Sequence, residues 1–364
     1  MLYCGKIRRL FIGFFVLACG YCAEAETFIQ ATDPNIQYVG RIDFSDVLSP
    51  KLSWAGTSIS VNFTGKYLAV HLDDQLGSNY YNGFIDGNYD KPILIRCKKG
   101  FGKYVIASDL LPGNHSVLIT KRTDGEEGFS NFIGIQLDDN EKLHSPPKRH
   151  ERKIEFIGDS ITSGMGNESS EEGVDYFPKD KNNFLSFGAF TARALNAEMH
   201  VISQGGIGII VSWFDFTMSQ LYEKTTAGGV NGADWDFSVW VPDVVVINLF
   251  QNDKWIIEGG TKLATPPAET QRVQAYIDFV KTVRSKYPKA YIVCTLGSMD
   301  AMAPGSKWSE YIKIAVASLK KKNPNEKLGT LFFEFTGFGA HPRVQHHQVN
   351  AVKLTEFIRK EMGW

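Results

Sequence analysis

The sequence has almost no excess of charge of either sign. Its 364 residues include 39 Lys and Arg and 40 Asp and Glu, a net charge of −1. Nucleic acid and anionic membranes are therefore poor candidates for a partner. Cysteine is scarce as well, since Cys4, Cys19 and Cys22 cluster near the N-terminus and only Cys97 and Cys294 follow, far apart. This distribution argues against a disulfide framework and predicts that the last two thiols are buried as small apolar side chains.

Long hydrophobic runs are confined to the N-terminus. The run LFIGFFVLACG follows three basic residues and precedes Ala23 and Ala25, small residues at the −3 and −1 positions of a cleavage site. This pattern predicts a signal peptide over residues 1–25, or alternatively a lipoprotein anchored through Cys19. We therefore expect a secreted protein, extracellular or periplasmic, or a surface lipoprotein. No later run is long and apolar enough to predict a transmembrane helix.

Two patterns of secondary structure divide the rest of the chain. Over residues 27–145, short alternating segments such as SISVNF and HSVLIT are separated by turn residues, which predicts an antiparallel β-sandwich domain. Within it, the acidic segment DGEEG (124–128) is interpreted as a solvated loop. The segment HSPPKRHERK, with two prolines and several basic residues, marks a domain boundary. Over residues 151–364, strand-like and helix-like segments alternate, among them the predicted helix NFLSFGAFTARALNAEM, which indicates an α/β domain with a mostly parallel sheet.

The segment IEFIGDSITSG contains a serine at the point where a strand-like run ends. Ser160 could cap a helix, or its hydroxyl could act as a nucleophile at the carboxyl edge of the sheet, where ligands of such sheets bind. A nucleophile needs a base, and His341 in GAHP is a candidate. The backbone N–H of Gly206 in SQGGIGI and the side chain of Asn252 in NLFQND could bind an oxyanion. Each feature alone has a structural explanation, but all four follow predicted strands in order.

These four blocks, FIGDSITSG, GGIG, QND and AHP, resemble those of the SGNH, or GDSL, hydrolase superfamily. The segments VGRID and LSWAGTSISVNFTG resemble the jelly-roll partner domain of carbohydrate esterase family 2. The resemblance implies a three-layer α/β/α SGNH domain behind a jelly-roll β-sandwich. It makes Ser160 the nucleophile and His341 the general base, and the Ser160 N–H, Gly206 and Asn252 the oxyanion hole. It implies no metal and no organic cofactor.

Two positions depart from the superfamily pattern. Many members carry Asp three residues before the histidine, where this chain has Phe338. What orients His341 is therefore open, and a backbone carbonyl could do so in a Ser-His dyad. Phe250 replaces a glycine often found before the Asn block, and the hypothesis is that it narrows the acyl pocket. Trp255 lies just beyond that block and is either a platform for a sugar ring or a packing residue.

The expected function is that of a secreted carbohydrate O-acetyl esterase. By resemblance, its substrate is an acetylated plant polysaccharide or oligosaccharide, such as xylan, mannan or glucomannan. Two alternatives stay open. One is an esterase of other small acyl esters. The other is a catalytically inactive carbohydrate-binding protein, of which the missing Asp would be the sign.

Overall fold

The computed structural model describes Met1 and residues 26–364. The predicted signal peptide and Cys19 lie outside the described residues. None of the helices within residues 26–364 combines the length and the apolar character needed to cross a membrane. Cys97 and Cys294 are buried and unpaired with each other, as predicted.

The N-terminal part consists of two antiparallel sheets that share one hydrophobic core. The first has the order β1-β10-β5-β8 with β3 added on β10, and the second has the order β11-β4-β9-β6-β7 with β2 added on β4. Side chains of both sheets, such as Val61 and Val70, meet between them. The strands are β1 (Glu26–Gln30), β2 (Gln37–Val39), β3 (Lys51–Leu52), β4 (Ser58–Thr64), β5 (Leu68–Asp74), β6 (Tyr80–Ile85), β7 (Ile93–Arg96), β8 (Gly100–Ala107), β9 (Asn114–Lys121), β10 (Ser130–Asp138) and β11 (Leu143–His144).

Alternation of apolar and polar residues explains these strands. In β4, SISVNFT, the side chains of Ile59, Val61 and Phe63 are buried, whereas the residues between them are half-buried. A period of two directs every second side chain into the core of a sandwich. The N-terminal part is therefore the sheet domain that its sequence pattern predicts.

The C-terminal part is a parallel sheet with helices on both faces. Its strands are β12 (Arg152–Gly158), β13 (Ala197–Ser203), β14 (Val244–Asn248), β15 (Tyr291–Leu296) and β16 (Leu328–Phe332), in the order β13-β12-β14-β15-β16. Its helices are α1 (Ser160–Ser163), α2 (Phe187–Ala194), α3 (Met218–Leu221), α4 (Gln251–Gly259), α5 (Glu269–Lys286), α6 (Trp308–Lys322) and α7 (Val344–Met362). α5 and α6 pack on one face and α2 and α7 on the other. The fold class is therefore α/β, with three layers, as expected.

In the strand order, β12 is the topological switch point: the chain goes from β12 to β13 on one side, and then to β14 on the other side. β13 pairs with one edge of β12 and β14 with the other, and the register aligns Gly158 with both Ser203 and Asn248. The three strands thus end side by side. Loops that follow such neighbouring strands form the ligand crevice of open α/β sheets.

Candidate active site

Ser160 is the first residue of α1, directly after β12. Asp159 caps this short helix, since its Oδ1 accepts the Ile161 N–H at 3.0 Å. The helix ends at Gly164, whose φ of 82° lies in the left-handed region that favours glycine. Burial, together with the nearby carboxylate of Asp253, raises the pKa of Asp159 to about 7. Asp159 therefore shapes the turn that carries Ser160, and within residues 26–364 it forms no hydrogen bond with His341.

His341 reaches the serine from the loop between β16 and α7. Its Nε2 lies 2.8 Å from Ser160 Oγ, and both side chains are largely buried. In this arrangement the Ser160 hydroxyl donates to Nε2, provided that Nδ1 carries the imidazole proton. The pair has the geometry of a nucleophile and its general base.

The partner of His341 Nδ1, which the sequence left open, is the carboxylate of Asp175 and not a backbone carbonyl. Asp175 Oδ2 lies 2.8 Å from Nδ1 and also accepts the His341 backbone N–H at 2.6 Å. Partial burial acts to raise the pKa of Asp175, but the hydrogen bonds from His341 and the charge of Arg343 lower it to about 2. An ionised carboxylate only accepts, so the proton resides on Nδ1 and Nε2 is free to act as the base.

Asp175 lies in the long loop between α1 and α2, and the structure holds this loop against His341. Arg343 Nε donates to the Ser170 carbonyl at 3.0 Å, and its Nη1 donates to the His341 carbonyl at 2.7 Å. Gly166, with φ of 59°, lets the chain pass close to Asp175, because a Cβ there would lie 2.4 Å from the Asp175 carbonyl oxygen. Sequence reasoning missed this carboxylate. The contacts of Gly166 and Arg343 that position Asp175 arise only in the folded structure, so the sequence carried no signal for it.

Gly206 and Asn252 lie at the same edge of the sheet. Gly206 has φ of 77°, which favours glycine, and Asn252 Nδ2 donates to the Ile207 carbonyl at 3.0 Å. The second N–H of the Asn252 amide thus remains available as a donor. Over the described part of the chain, the backbone N–H groups of Ser160 and Gly206 have no hydrogen-bond acceptor. Three donors are therefore free to bind a substrate oxygen.

Asp253, next to Asn252, fixes the loop that carries Gly206. Its two carboxylate oxygens accept the backbone N–H groups of three consecutive residues, Ile209, Ile210 and Val211, at 2.7–3.1 Å. Burial raises the pKa of Asp253 to about 6 in spite of these hydrogen bonds. The QND block thus supplies both a donor and the residue that holds the neighbouring loop.

The two predicted substrate-binding residues have different surroundings. Phe250 is fully buried, with its ring centroid 4.9 Å from Tyr276 and 5.1 Å from Trp308. This packing argues against the hypothesis that Phe250 lines the acyl pocket, which stays a prediction. Its backbone has φ of 103°, which explains why a glycine suits this position. Trp255 is half-buried in α4, and its Nε1 donates to Asp300 Oδ1 at 2.7 Å. Its role as a sugar platform stays a prediction.

The acidic segment DGEEG is not a solvated loop. Asp124 and Glu127 are buried, and with Glu126 they surround the Lys181 ammonium of the C-terminal part at 2.9–3.2 Å. Asp124 Oδ2 also accepts the Gly205 N–H at 3.0 Å. The composition of this segment suggested a solvent-exposed loop because the lysine that pairs with it is more than fifty residues away.

The chain is similar to proteins of known family. The family model described as carbohydrate esterase 2 N-terminal matches residues 38–147. The cellulase/esterase CelE of Acetivibrio thermocellus is 35% identical over 353 residues, 94% of this chain, but the chain spans only 41% of that relative's length. An acetylxylan esterase / glucomannan deacetylase of Cellvibrio japonicus is 29% identical over 323 residues, 85% of this chain and 86% of the relative.

A solved structure is similar over nearly its entire length. It is a family two carbohydrate esterase from Clostridium thermocellum in complex with cellohexaose, with 34% identity and a TM-score of 0.81. The match covers 90% of this chain and 99% of that one. The similarity thus extends over both the sheet domain and the domain that carries Ser160 and His341.

Proposed function

The chain belongs to carbohydrate esterase family 2, and we propose that it is an O-acetyl esterase that removes acetyl groups from plant polysaccharide such as xylan, mannan or glucomannan. The observation that carries this proposal is the chain of contacts from Asp175 through His341 to Ser160, beside three free hydrogen-bond donors. Its relatives, named as acetylxylan esterase / glucomannan deacetylase and as cellulase/esterase, support the substrate class.

The proposed mechanism is a double displacement through an acyl-enzyme. Ser160 Oγ attacks the acetyl carbonyl carbon while His341 Nε2 takes its proton, and Asp175 stabilises the imidazolium that forms. The Ser160 and Gly206 N–H groups and the Asn252 amide bind the oxyanion. The intermediate then collapses, the C–O bond to the sugar breaks, and His341 returns the proton to the departing sugar oxygen. Water, activated by His341, hydrolyses the acetyl ester in the second half.

The proposal is tested by measuring acetate release from acetylated xylan and acetylated glucomannan. We expect release by the mature protein, and losses of at least about 10³-fold in Ser160→Ala and in His341→Ala, because the nucleophile or its base is gone. Ser238→Ala and His71→Ala, which remove the same groups away from the site, serve as controls. Wild-type protein that releases acetate from neither polymer nor from an activated aryl acetate would contradict the proposal.

The two alternative functions predict other results with the same protein. An esterase of other acyl groups would hydrolyse aryl butyrate or octanoate faster than aryl acetate. An inactive carbohydrate-binding protein would bind glycan without turnover, but Asp175 supplies the carboxylate whose apparent loss suggested that alternative. Secretion remains our proposal from the N-terminal pattern, and N-terminal sequencing of exported protein, with cleavage after Ala25 expected, would test it.

A further inference from the structure

A carboxylate of the sheet domain contacts the loop of the proposed oxyanion hole. Asp124 lies between β9 and β10, is fully buried, and accepts the Gly205 N–H through Oδ2 at 3.0 Å. Gly205 directly precedes Gly206, whose N–H is a proposed donor to the oxyanion. The hydrogen bond therefore reaches one residue from the chemistry, across the boundary between the two parts of the chain.

Asp124 is itself held in place by a buried cation. Its Oδ1 lies 3.1 Å from Lys181 Nζ and accepts the Glu126 N–H at 3.1 Å. Burial acts to raise the pKa of Asp124, but Lys181 and the Ser163 hydroxyl lower it below its ordinary value. Burial likewise acts to lower the pKa of Lys181, while the surrounding carboxylates raise it. Both groups are therefore charged, and the geometry of the pair is fixed by charge-assisted hydrogen bonds.

The loop after β13 is thus held at both ends by carboxylates. Asp124 binds its beginning at Gly205, and Asp253 binds Ile209, Ile210 and Val211. The approach of the sheet domain is so close that a Cβ on Gly205 would lie 2.2 Å from Glu126 Oε2. The two attachments leave the intervening N–H groups little freedom to move.

We propose that Asp124 is a positioning residue for the oxyanion hole, so that the sheet domain completes the catalytic apparatus. This inference rests on the proposed esterase function. An oxyanion donor is effective only when it is held at about 2.7–3.1 Å from the position of the developing charge. Asp124 supplies this constraint for Gly206 through the adjacent residue.

The test is a kinetic comparison of two variants that each remove one buried interdomain charge. Asp124→Asn leaves a single oxygen to serve Gly205, Lys181 and Glu126. We expect its kcat on an aryl acetate to fall about 10- to 100-fold, with KM changed less than about threefold, because the loop shifts without losing its donor. Glu155→Gln breaks the buried ion pair with Arg41 but does not contact this loop. Its kcat per folded molecule should stay within about twofold of wild type.

A second readout separates positioning from loss of folded protein. Methylboronic acid bonds to the serine oxygen and presents a B–O group to the oxyanion hole, so its Ki reports that hole directly. We expect Ki to rise about 10- to 100-fold in Asp124→Asn and to stay unchanged in Glu155→Gln. A merely structural role lowers the active fraction but leaves Ki unchanged. If Asp124→Asn does not fold, Asp124→Glu keeps the charge beside Lys181 but displaces the oxygen that accepts the Gly205 N–H, and the same rise of Ki is expected.

The outcomes distinguish the two proposals. Active wild-type enzyme with equal kcat and Ki in the Asp124 and Glu155 variants would overturn the positioning role and leave the esterase intact. Wild-type protein without activity on any acetate ester would instead overturn the proposed function on which the inference rests. A selective change in the Asp124 variant supports the inference.

Discussion

At the scale of single residues, Asp175 offers a sharp test of the site. Asp175→Asn keeps the volume but can present an amide N–H to His341 Nδ1, which then shifts the imidazole proton to Nε2 and blocks the base. We expect kcat on acetate esters to fall about 10³- to 10⁴-fold with little change in KM. Steady-state kinetics measure this, with Glu172→Gln, an exposed carboxylate of the same loop, as the control. A loss below about threefold would mean that a Ser-His dyad is sufficient.

The residues of the site differ in how far the sequence could predict them. Ser160 and His341 follow recognisable strand ends in order, and their roles remain predictions until variants are measured. Asp175 lies 166 residues before His341 in a loop without periodic pattern. Its contact depends on the fold of that loop and on Arg343, which are tertiary features. A search limited to the D-x-x-H position therefore could not find it.

At the scale of elements, the pattern predicted the parallel sheet but not the bounds of α2. The predicted helix included NFLSFGAFTARALNAEM, whereas α2 covers only Phe187–Ala194. Ser186 caps its start, since its side chain accepts the Ala189 N–H at 3.3 Å. Asn196, with φ of 49°, ends the helical region, and β13 begins at the next residue. Short caps and a single left-handed residue decide such bounds, and hydrophobic periodicity does not detect them.

The start of α4 allows a prediction about Phe250. Its positive φ is strained for any residue with a Cβ, while its ring fills the core between Tyr276 and Trp308. Phe250→Gly should lose about 2–4 kcal/mol of the free energy of unfolding, because the lost packing exceeds the relief of strain. Phe250→Ala keeps the strain and should be less stable still, by about 1 kcal/mol, the reverse of the usual order of Ala and Gly.

Urea unfolding of the two Phe250 variants measures this difference directly. Because the ring is buried away from solvent, the folded fraction of either variant should keep the acyl-chain preference of the wild type. An alanine variant more stable than the glycine variant would contradict the argument from φ. A shift of preference toward butyryl esters would instead restore the hypothesis of an acyl pocket at Phe250.

At the scale of the whole molecule, the two sequence-defined parts share a buried interface. Arg41 of the sheet domain is fully buried, and its Nη2 lies 3.1 Å from Glu155 Oε2 in strand β12. Trp54 is also fully buried, and its Nε1 donates to the Thr225 carbonyl at 2.8 Å. The sequence predicted a boundary near residues 144–153. It could not predict this interface, because the sequence around Arg41 and Trp54 does not indicate which residues of the other domain they contact.

The buried ion pair predicts how the two parts unfold. The hydroxyl groups of Tyr222 and Tyr287 donate to Glu155 at 2.9 and 3.2 Å, so the carboxylate has a full set of partners. Arg41→Met would leave Glu155 buried without its cation and should cost about 3–5 kcal/mol of the free energy of unfolding. Adding Glu155→Gln removes the unpaired charge. Its amide oxygen accepts from one tyrosine and its amide N–H can donate to the other hydroxyl, so the double variant should recover part of that loss.

Scanning calorimetry of these variants tests whether the sheet domain and the catalytic domain form one cooperative unit. Because Arg41 and Trp54 contribute side chains to the interior of the other domain, we expect one transition in the wild type, which Arg41→Met moves to lower temperature as a whole. Lys148→Met, which removes the cation of an exposed ion pair, should leave that temperature nearly unchanged. Two separate transitions, only one of them sensitive to Arg41→Met, would show instead that the domains unfold independently. In that case the contact of Asp124 with the oxyanion loop would join two domains that are each stable alone. A single shared transition means instead that unfolding of the sheet domain also unfolds the site around Ser160.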